Sequence, residues 1–102
     1  MEINKLRSEQ LDRLFEAILA LQTKEECYQF FDDLATMNEI SSLSQRLEVA
    51  RLLLEGRTYN HIEEVTKAST ATISRVRRCI DYGSGGYEIV FERILEEENK
   101  NS

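Results

Sequence analysis

The sequence of 102 residues contains no proline, and its four glycines are confined to Gly56 and the cluster Gly83, Gly85 and Gly86. Proline and glycine are the residues that most often interrupt regular structure, so their placement predicts a helical chain with two main breaks. No stretch shows the alternation of apolar and polar residues that is typical of strands. The scarcity of interrupting residues therefore predicts an all-α protein.

The chain also has little of what metal sites and active sites require. Its one histidine, His61, and its two distant cysteines, Cys27 and Cys79, do not have the spacing of a zinc site. The acidic clusters at 32–33 and 96–98 are interpreted as solvated surfaces rather than catalytic carboxylate pairs. We therefore expect no metal, no cofactor and no enzymatic activity.

No apolar run approaches the roughly 18 residues that span a bilayer, and no charged-then-apolar leader opens the chain. These absences predict a cytoplasmic protein with no membrane partner. Cys27 and Cys79 fit that compartment as reduced, half-buried small hydrophobic residues, with a redox switch as the alternative. The glycines at 83–86 lack the lysine-serine pair of a phosphate-binding loop and predict a flexible connector.

Polar residues mark the starts of the first three helices. Ser8 is a good N-cap residue before an apolar pattern that continues to about residue 22. Thr23 with Glu26, and Thr36 with Glu39, have the spacing of capping boxes and predict the second and third helices.

Gly56 predicts the end of the third helix at residue 55. Two further helices are predicted within 58–80 and a sixth over 88–98, and the final ENKNS is expected to be disordered. We interpret residues 1–102 as a single domain of six helices.

The first, third and sixth helices carry apolar stripes that are wider than a small monomer covers, which predicts an oligomer. The alternative is that the helices wrap around each other within one chain. The second helix is expected to bury Cys27, Phe30, Phe31 and Leu34. The stripes consist of Leu11, Leu14, Phe15, Ile18, Leu19 and Leu21 in the first helix, Ile40, Leu43, Leu47, Ala50 and Leu54 in the third, widened by Val49, Leu52 and Leu53, and Ile89, Val90, Phe91, Ile94 and Leu95 in the sixth.

The stretch 58–80, TYNHIEEVTKASTATISRVRRCI, has the pattern of a helix-turn-helix. Ile62 and Val65 form an apolar pair in its first helix, and Ile73, Val76 and Ile80 repeat at i, i+3 and i+7 in its second. A short turn at 66–68 separates the two helices, and Ser69 and Thr70 are both good N-cap candidates for the second.

At about 100° per residue, the side of the second helix opposite its apolar stripe carries small, hydroxyl and basic residues. Small residues let the backbone approach base edges, and arginines reach guanine or phosphate. Thr72 is expected to point back toward the supporting helix. The candidate DNA-binding residues are Arg57, Lys67, Ser69, Thr70, Ala71, Ser74, Arg75, Arg77 and Arg78.

Charge is distributed unevenly along the chain. The segment 46–78 has seven basic and four acidic residues, a net charge of +3, so the remainder of a chain with net charge −6 carries −9. A local basic patch on an acidic body favours phosphate docking, because the local field steers the encounter. The alternative is a surface helical hairpin whose polar face is simply solvated.

The run 44–80, with QRLEVARLLLEGRTYNHIEE followed by ASTATISRV, resembles the Trp repressor family, and in particular the YerC/YecD-type Trp-repressor-like proteins. The similarity extends over nearly the whole chain and is weakest before Thr23. Its specific parts are the ATIS-R core and the long helix that ends in L-L-x-G. The resemblance implies an intertwined homodimer that binds operator DNA as a transcriptional regulator, interpreted as a repressor.

The resemblance also implies an effector pocket between Arg46 and Arg75. In the Trp repressor a glycine follows the second arginine and makes room for the indole, whereas this chain has Val76 there. Gln45 stands where the Trp repressor has threonine. We therefore expect that tryptophan is not the corepressor, and that Arg46 and Arg75 contact phosphate or pair with Glu48 and other nearby acids.

Three classes of function fit these patterns. The first is a DNA-binding transcriptional regulator, the second a helix-turn-helix module that docks on a protein partner, and the third a regulator gated by a small-molecule effector other than an indole. A steep salt dependence of DNA binding distinguishes the first from the second, because it reports phosphate neutralisation. Whether the protein binds DNA without a ligand distinguishes the third class, the gated regulator, from the first.

Overall fold

The computed structural model describes residues 2–101, and their regular structure is entirely helical. The all-α prediction and the six predicted α-helices are confirmed for these residues, while a short 3₁₀ helix at Glu2–Leu6 was not expected. The six helices are α1 (Glu9–Ala20), α2 (Lys24–Leu34), α3 (Met37–Leu54), α4 (Tyr59–Thr66), α5 (Thr70–Tyr82) and α6 (Gly86–Lys100).

The predicted helix starts are confirmed by side-chain hydrogen bonds. Ser8 Oγ accepts from the backbone N–H of Leu11 at 3.0 Å at the start of α1. At α3 the capping box is reciprocal: Thr36 Oγ1 accepts from the Glu39 N–H at 3.1 Å, and Glu39 Oε1 accepts from the Thr36 N–H at 2.9 Å. These bonds satisfy amides that the helix itself leaves unpaired.

The capping box of α2 departs from the standard form. Thr23 Oγ1 accepts from the Glu26 N–H at 3.0 Å, as expected. Glu26 Oε1, however, accepts from the N–H of Gln22 at 2.8 Å, one residue before the N-cap. The spacing therefore predicted the helix start but not the second hydrogen bond.

Gly56 ends α3 as predicted, with a positive φ of 84°. The Gly56 N–H donates to the Leu53 carbonyl and the Arg57 N–H to the Leu52 carbonyl, both at 3.0 Å. This pair of bonds is a Schellman motif, which satisfies the last carbonyls of a helix and requires a left-handed residue. Because the chain reverses here, Thr58 is placed to start α4.

Helix α6 is longer than predicted at both ends. It begins at Gly86, directly after Gly85 with φ 79°, and it continues to Lys100. The expected disorder of ENKNS is therefore wrong for its described residues, and Ser102 lies outside them.

The chain divides into two compact units, the first ending at Ile40 and the second beginning at Ser41. In the first unit none of residues 2–40 is fully buried. The rings of Phe30 and Phe31 are half-buried and pack edge to face, with centroids 5.5 Å apart. The expectation that α2 also buries Cys27 and Leu34 is wrong, since both are exposed. A single domain over 1–102 remains a prediction.

The second unit contains the buried core. Its members come from α3, α4, α5 and the turn between the last two, so that α3 supports the helix pair from one side. Half-buried Ile80, Tyr87 and Phe91 pack against this cluster. The core consists of Val49, Ala50, Leu52, Leu53, Ile62, Ala68, Ile73 and Val76.

The predicted face of α3 is only partly correct. Leu43, Leu47 and Leu54 are 53%, 42% and 42% exposed, whereas the residues expected only to widen the stripe are buried in the core together with Ala50 of the predicted stripe. The two sets lie on neighbouring sides of the same helix, and both are apolar. A periodic pattern finds such sides but does not show which one meets the rest of the chain.

Two expectations for the helix pair are also wrong. Val65 is exposed and does not join Ile62 in the core. Cys79, expected to be half-buried, is exposed on α5. The step of three residues from Ile62 to Val65, or from Val76 to Cys79, is the same as the step between the buried Ile73 and Val76, so the helical period alone did not show where each buried side ends.

Candidate nucleic-acid interface

The turn between α4 and α5 begins with a left-handed residue. Lys67 has φ 63° and ψ 13°, the one positive φ among the described residues other than glycine, and its N–H donates to the Glu63 carbonyl at 2.9 Å. This conformation is unfavourable for a side chain with a Cβ, so surrounding contacts must hold it. It ends α4 abruptly and exposes the Lys67 side chain.

Thr66 supplies several of those contacts. Its hydroxyl donates to the Ile62 carbonyl at 2.7 Å and accepts from the Ala68 N–H at 3.2 Å. The amide of Gln45, on α3, donates from Nε2 to the Thr66 carbonyl at 3.1 Å. The turn is therefore held both internally and by α3.

Ser69 caps the start of α5. Its Oγ accepts from the Thr72 N–H at 3.1 Å and donates to Thr72 Oγ1 at 3.1 Å. The hydroxyl of half-buried Thr72 thus bonds to Ser69, and its expected orientation toward the supporting helix remains a prediction. With Ser69 as the N-cap, Thr70 becomes the first residue of α5.

All nine candidate DNA-binding residues are exposed. Ile73 and Val76 are buried on the opposite side of α5, as the pattern predicted, and fix which side of the helix faces outward. The exposed side offers small and hydroxyl side chains in the first turn, where base edges are approached, and arginines farther along. The contacts of these residues with DNA remain predictions.

The arginines of α5 differ in their partners. Arg77 Nε lies 3.2 Å from Asp81 Oδ2 in an ion pair of i, i+4 spacing. Arg75 and Arg78 form no ion pair or hydrogen bond with the described part of the chain. Their guanidinium groups are therefore available to a partner.

Arg51 does not contribute to the basic patch that the sequence predicted. It is paired with Glu48 and, at 3.1 Å from Arg51 Nη1 to Oε2, with Glu55, all on α3. The hydrogen bond from Arg51 lowers the pKa of Glu48, and the bond to Glu48 raises the pKa of Arg51. The i, i+3 and i, i+4 spacings of Glu48, Arg51 and Glu55 in the sequence could have predicted these ion pairs.

The two arginines of the expected effector pocket have different environments. Arg75 is exposed, while the half-buried Arg46 has a buried Nε without a hydrogen-bond partner. The expected pairing of Arg46 or Arg75 with Glu48 is wrong, because Glu48 is bound by Arg51. Val76, the residue after Arg75, is buried in the core and only 2% exposed.

Sequence reasoning missed Asp81 on this surface, and it considered Gln45 only as a residue of the effector pocket. Asp81 pairs with Arg77, and its i, i+4 spacing could have indicated this. Gln45 reaches the turn from a position 21 residues earlier, which local patterns do not report.

Other kinds of site lack support in residues 2–101. These residues contain no cluster of three or more side chains that could hold a metal ion. None of their helices is both long enough and apolar enough to cross a membrane.

Residues 9–95 match the family model described as Trp repressor protein. The chain belongs to the Trp repressor family. It is also 60% identical to YerC, an uncharacterised protein of Bacillus subtilis (strain 168), over 100% of this chain and 98% of YerC. The predicted resemblance to YerC-type members is thereby confirmed, and membership of the family indicates a helix-turn-helix DNA-binding regulator.

Solved structures agree with this assignment. A crystal structure from Staphylococcus aureus, provisionally titled a Trp repressor, superposes with a TM-score of 0.91 and 56% identity, covering 93% of this chain and 95% of that one. A TrpR-like protein from Eubacterium eligens ATCC 27750 gives a TM-score of 0.86 and 57% identity, covering 89% and 94%. The Trp-repressor-like fold is therefore confirmed.

Proposed function

We propose that this protein is a cytoplasmic transcriptional repressor that binds operator DNA as a homodimer and does not use tryptophan as corepressor. The observation that carries the proposal is the exposed side of α5. It presents Ala71, Ser74, Arg75 and Arg78 opposite the buried Ile73 and Val76. An amphipathic second helix of this composition, held by a tight turn, is suited to the major groove.

Each part of this surface has a role in the proposed complex. The first two turns of α5, with Thr70, Ala71 and Ser74, lie at base edges, where short side chains permit close approach. Arg75 and Arg78 reach bases or backbone. Lys67 and Arg57, exposed at the two ends of α4, contact phosphate and set the orientation of the helix pair.

Exposed apolar side chains support the homodimer. In the second unit, α3 presents Leu43 and Leu47, and α6 presents Ile94 and Leu95, all more than two-fifths exposed. Leu43 and Leu47 are one turn apart on α3, and Ile94 and Leu95 are neighbours on α6, and exposed apolar groups of this kind mark interaction sites on soluble proteins. A second copy of the chain would cover them, and two α5 helices related by a two-fold axis would then read two half-sites.

The surroundings of Val76 argue against tryptophan. Its side chain fills space in the core between α3 and α5, at the position where the Trp repressor has a glycine that admits the indole. Gln45 stands where the Trp repressor has threonine, and its side-chain amide donates a hydrogen bond to the Thr66 carbonyl. An indole would have to expel a packed side chain, at a cost of about 1–3 kcal/mol or more.

The test starts from the purified protein without added ligand. Duplexes selected from a random pool would give the operator, and fluorescence anisotropy over a salt series would give affinity for that operator and for unrelated DNA. We expect an operator with dyad symmetry and a steep decrease of affinity with salt. Equal affinity for all duplexes would contradict sequence-specific binding, and no binding would favour either docking on a protein or gating by an effector.

Arg46 favours a second candidate function, a regulator gated by a small anionic effector other than an indole. Its buried Nε has no partner, and a buried donor of this kind is normally hydrogen-bonded. In that case the protein without ligand would bind the selected operator weakly, and a cell extract depleted of macromolecules would restore binding.

A further inference from the structure

Gln45 connects α3 to the helix-turn-helix through its side chain. Residues 45, 49 and 52 lie on one side of α3 at spacings of four and three, and Val49 and Leu52 are in the core beneath the helix pair. Gln45 extends this side by one turn toward the point where α4 ends. There its Nε2 donates to the Thr66 carbonyl at 3.1 Å in a partly buried position.

We propose that Gln45 is a positioning residue, which fixes the turn between α4 and α5 and so holds α5 in its DNA-binding orientation without a bound effector. The inference rests on the proposed function and concerns its regulation. A ligand-gated helix-turn-helix needs a turn that the ligand orders. In this protein the side-chain amide of Gln45 orders the turn instead.

The chemistry of the turn explains why an amide is required. The carbonyl of Thr66 is at the C-terminal end of α4, where helix carbonyls lack intrahelical partners and carry partial negative charge. A neutral donor satisfies this oxygen. A carboxylate at residue 45 would be repelled by it, and an apolar side chain would leave it unpaired in a partly buried place.

The hydrogen bond acts on the start of α5 through a short chain of contacts. Thr66 also binds the N–H of Ala68 through its hydroxyl, and Ala68 is buried in the core. The next residue is Ser69, the N-cap of α5. A shift of the Thr66 carbonyl therefore moves the N-cap and the first turn of α5, where the candidate base-reading residues lie.

The test uses Gln45→Met, which keeps side-chain length and removes the donor, and Gln45→Glu, which keeps the shape and reverses the electrostatic effect. The matched control is Thr23→Ala, which removes a capping bond of α2 in the first unit and lowers stability without touching the turn. Amide hydrogen exchange is measured at Lys67 and Ala68. Affinity is measured for the selected operator and for unrelated DNA.

We expect both Gln45 variants to exchange faster at Lys67 and Ala68, and to lose roughly twofold to tenfold in operator affinity, the equivalent of one hydrogen bond. Affinity for unrelated DNA and the salt slope should not change, because the phosphate contacts remain. Thr23→Ala should leave exchange at the turn and operator affinity at parent values.

Three results would overturn the proposal, one in the exchange measurement and two in the affinity measurement. The first is parent-like exchange at the turn in both Gln45 variants. The others are an equal loss of affinity for operator and unrelated DNA, and a loss that Thr23→Ala reproduces. If the parent protein binds no DNA, the proposed function is wrong, while the exchange measurement still decides whether Gln45 fixes the turn.

Discussion

Arg77 and Asp81 form an ion pair one turn apart on the exposed side of α5, with Arg77 Nε 3.2 Å from Asp81 Oδ2. At about 100° per residue, Asp81 lies on the same side of the helix as Ser74 and Arg78. A carboxylate thus stands among the residues that are proposed to approach DNA. It neutralises one arginine of the surface and repels phosphate nearby.

The first prediction is that Asp81→Asn strengthens DNA binding. The substitution removes a negative charge and frees Arg77 for a phosphate, so affinity should increase severalfold and the salt slope should steepen by about one. Because both side chains are more than a third exposed, the unfolding free energy should change by only about 0.2–1 kcal/mol. Anisotropy titrations at several salt concentrations measure both quantities.

The control for this prediction is Glu96→Gln, which removes the same charge from an exposed side chain of α6. If this variant gains as much affinity as Asp81→Asn, the effect comes from net charge and not from the position of Asp81. In the double variant Arg77→Ala/Asp81→Asn, the contact between Arg77 and phosphate should be lost, because the guanidinium group is absent.

The second prediction separates base reading from phosphate contact on α5. Arg78→Ala should weaken operator binding by about 1–3 kcal/mol and relax specificity at one base pair if Arg78 pairs with guanine. If Arg78 meets phosphate only, the loss should be equal across sequences. Parent-like operator affinity in both Arg78→Ala and Ser74→Ala would show that this side of α5 is not the reading surface.

Local sequence signals predicted the helices well because caps act over three or four residues. Ser8, Thr23, Thr36 and Ser69 each cap a helix in the structure as expected. The face of α3 was less predictable, since leucines occur around most of the helix. Which leucines become buried depends on where α4 and α5 pack, and that information is not local.

In the candidate site, too, features set by local sequence were predicted and features set by packing were not. The outward side of α5 followed from helical period and the apolar positions 73, 76 and 80. The charge count over 46–78 overestimated the basic patch, because it did not consider that Arg51 is held between Glu48 and Glu55. The Gln45–Thr66 hydrogen bond joins residues from two helices, so only the packed structure reveals it.

The third prediction concerns the oligomeric state. Light scattering at micromolar concentration should give the mass of a dimer, and half-site centres should lie about 34–36 Å apart on the operator. Ile94→Glu, at an exposed position of α6, should convert the dimer to a monomer with little change in helix content. Glu92→Lys, an exposed charge change on the same helix, is the control and should leave the dimer intact. A monomeric parent protein would contradict the assignment.

The fourth prediction uses the capping box of α3. The hydrogen bond from the Thr36 backbone N–H lowers the pKa of Glu39 below its ordinary value of 4.5. The ionised group therefore stabilises the fold at neutral pH, and this contribution is lost as the pH decreases through the lowered pKa. Thermal unfolding should show Glu39→Gln less stable than the parent at pH 7, with the difference vanishing in acid. Glu64→Gln, at an exposed position without a capping bond, should show no such convergence.

The fifth prediction is that L-tryptophan neither binds this protein at micromolar concentration nor increases its operator affinity. Val76 is 2% exposed and packs with Ile73, so its γ-carbons occupy space that an indole would need. Expelling it would cost about 1–3 kcal/mol or more, as overpacked cores do. Calorimetry with L-tryptophan, and operator titration with and without it, test this directly. In Val76→Ala, which vacates part of that space at some cost in stability, any heat of binding that appears would show that Val76 is the obstruction. Micromolar binding by the parent, or a tenfold gain in its DNA affinity, would show that Val76 does not exclude the indole.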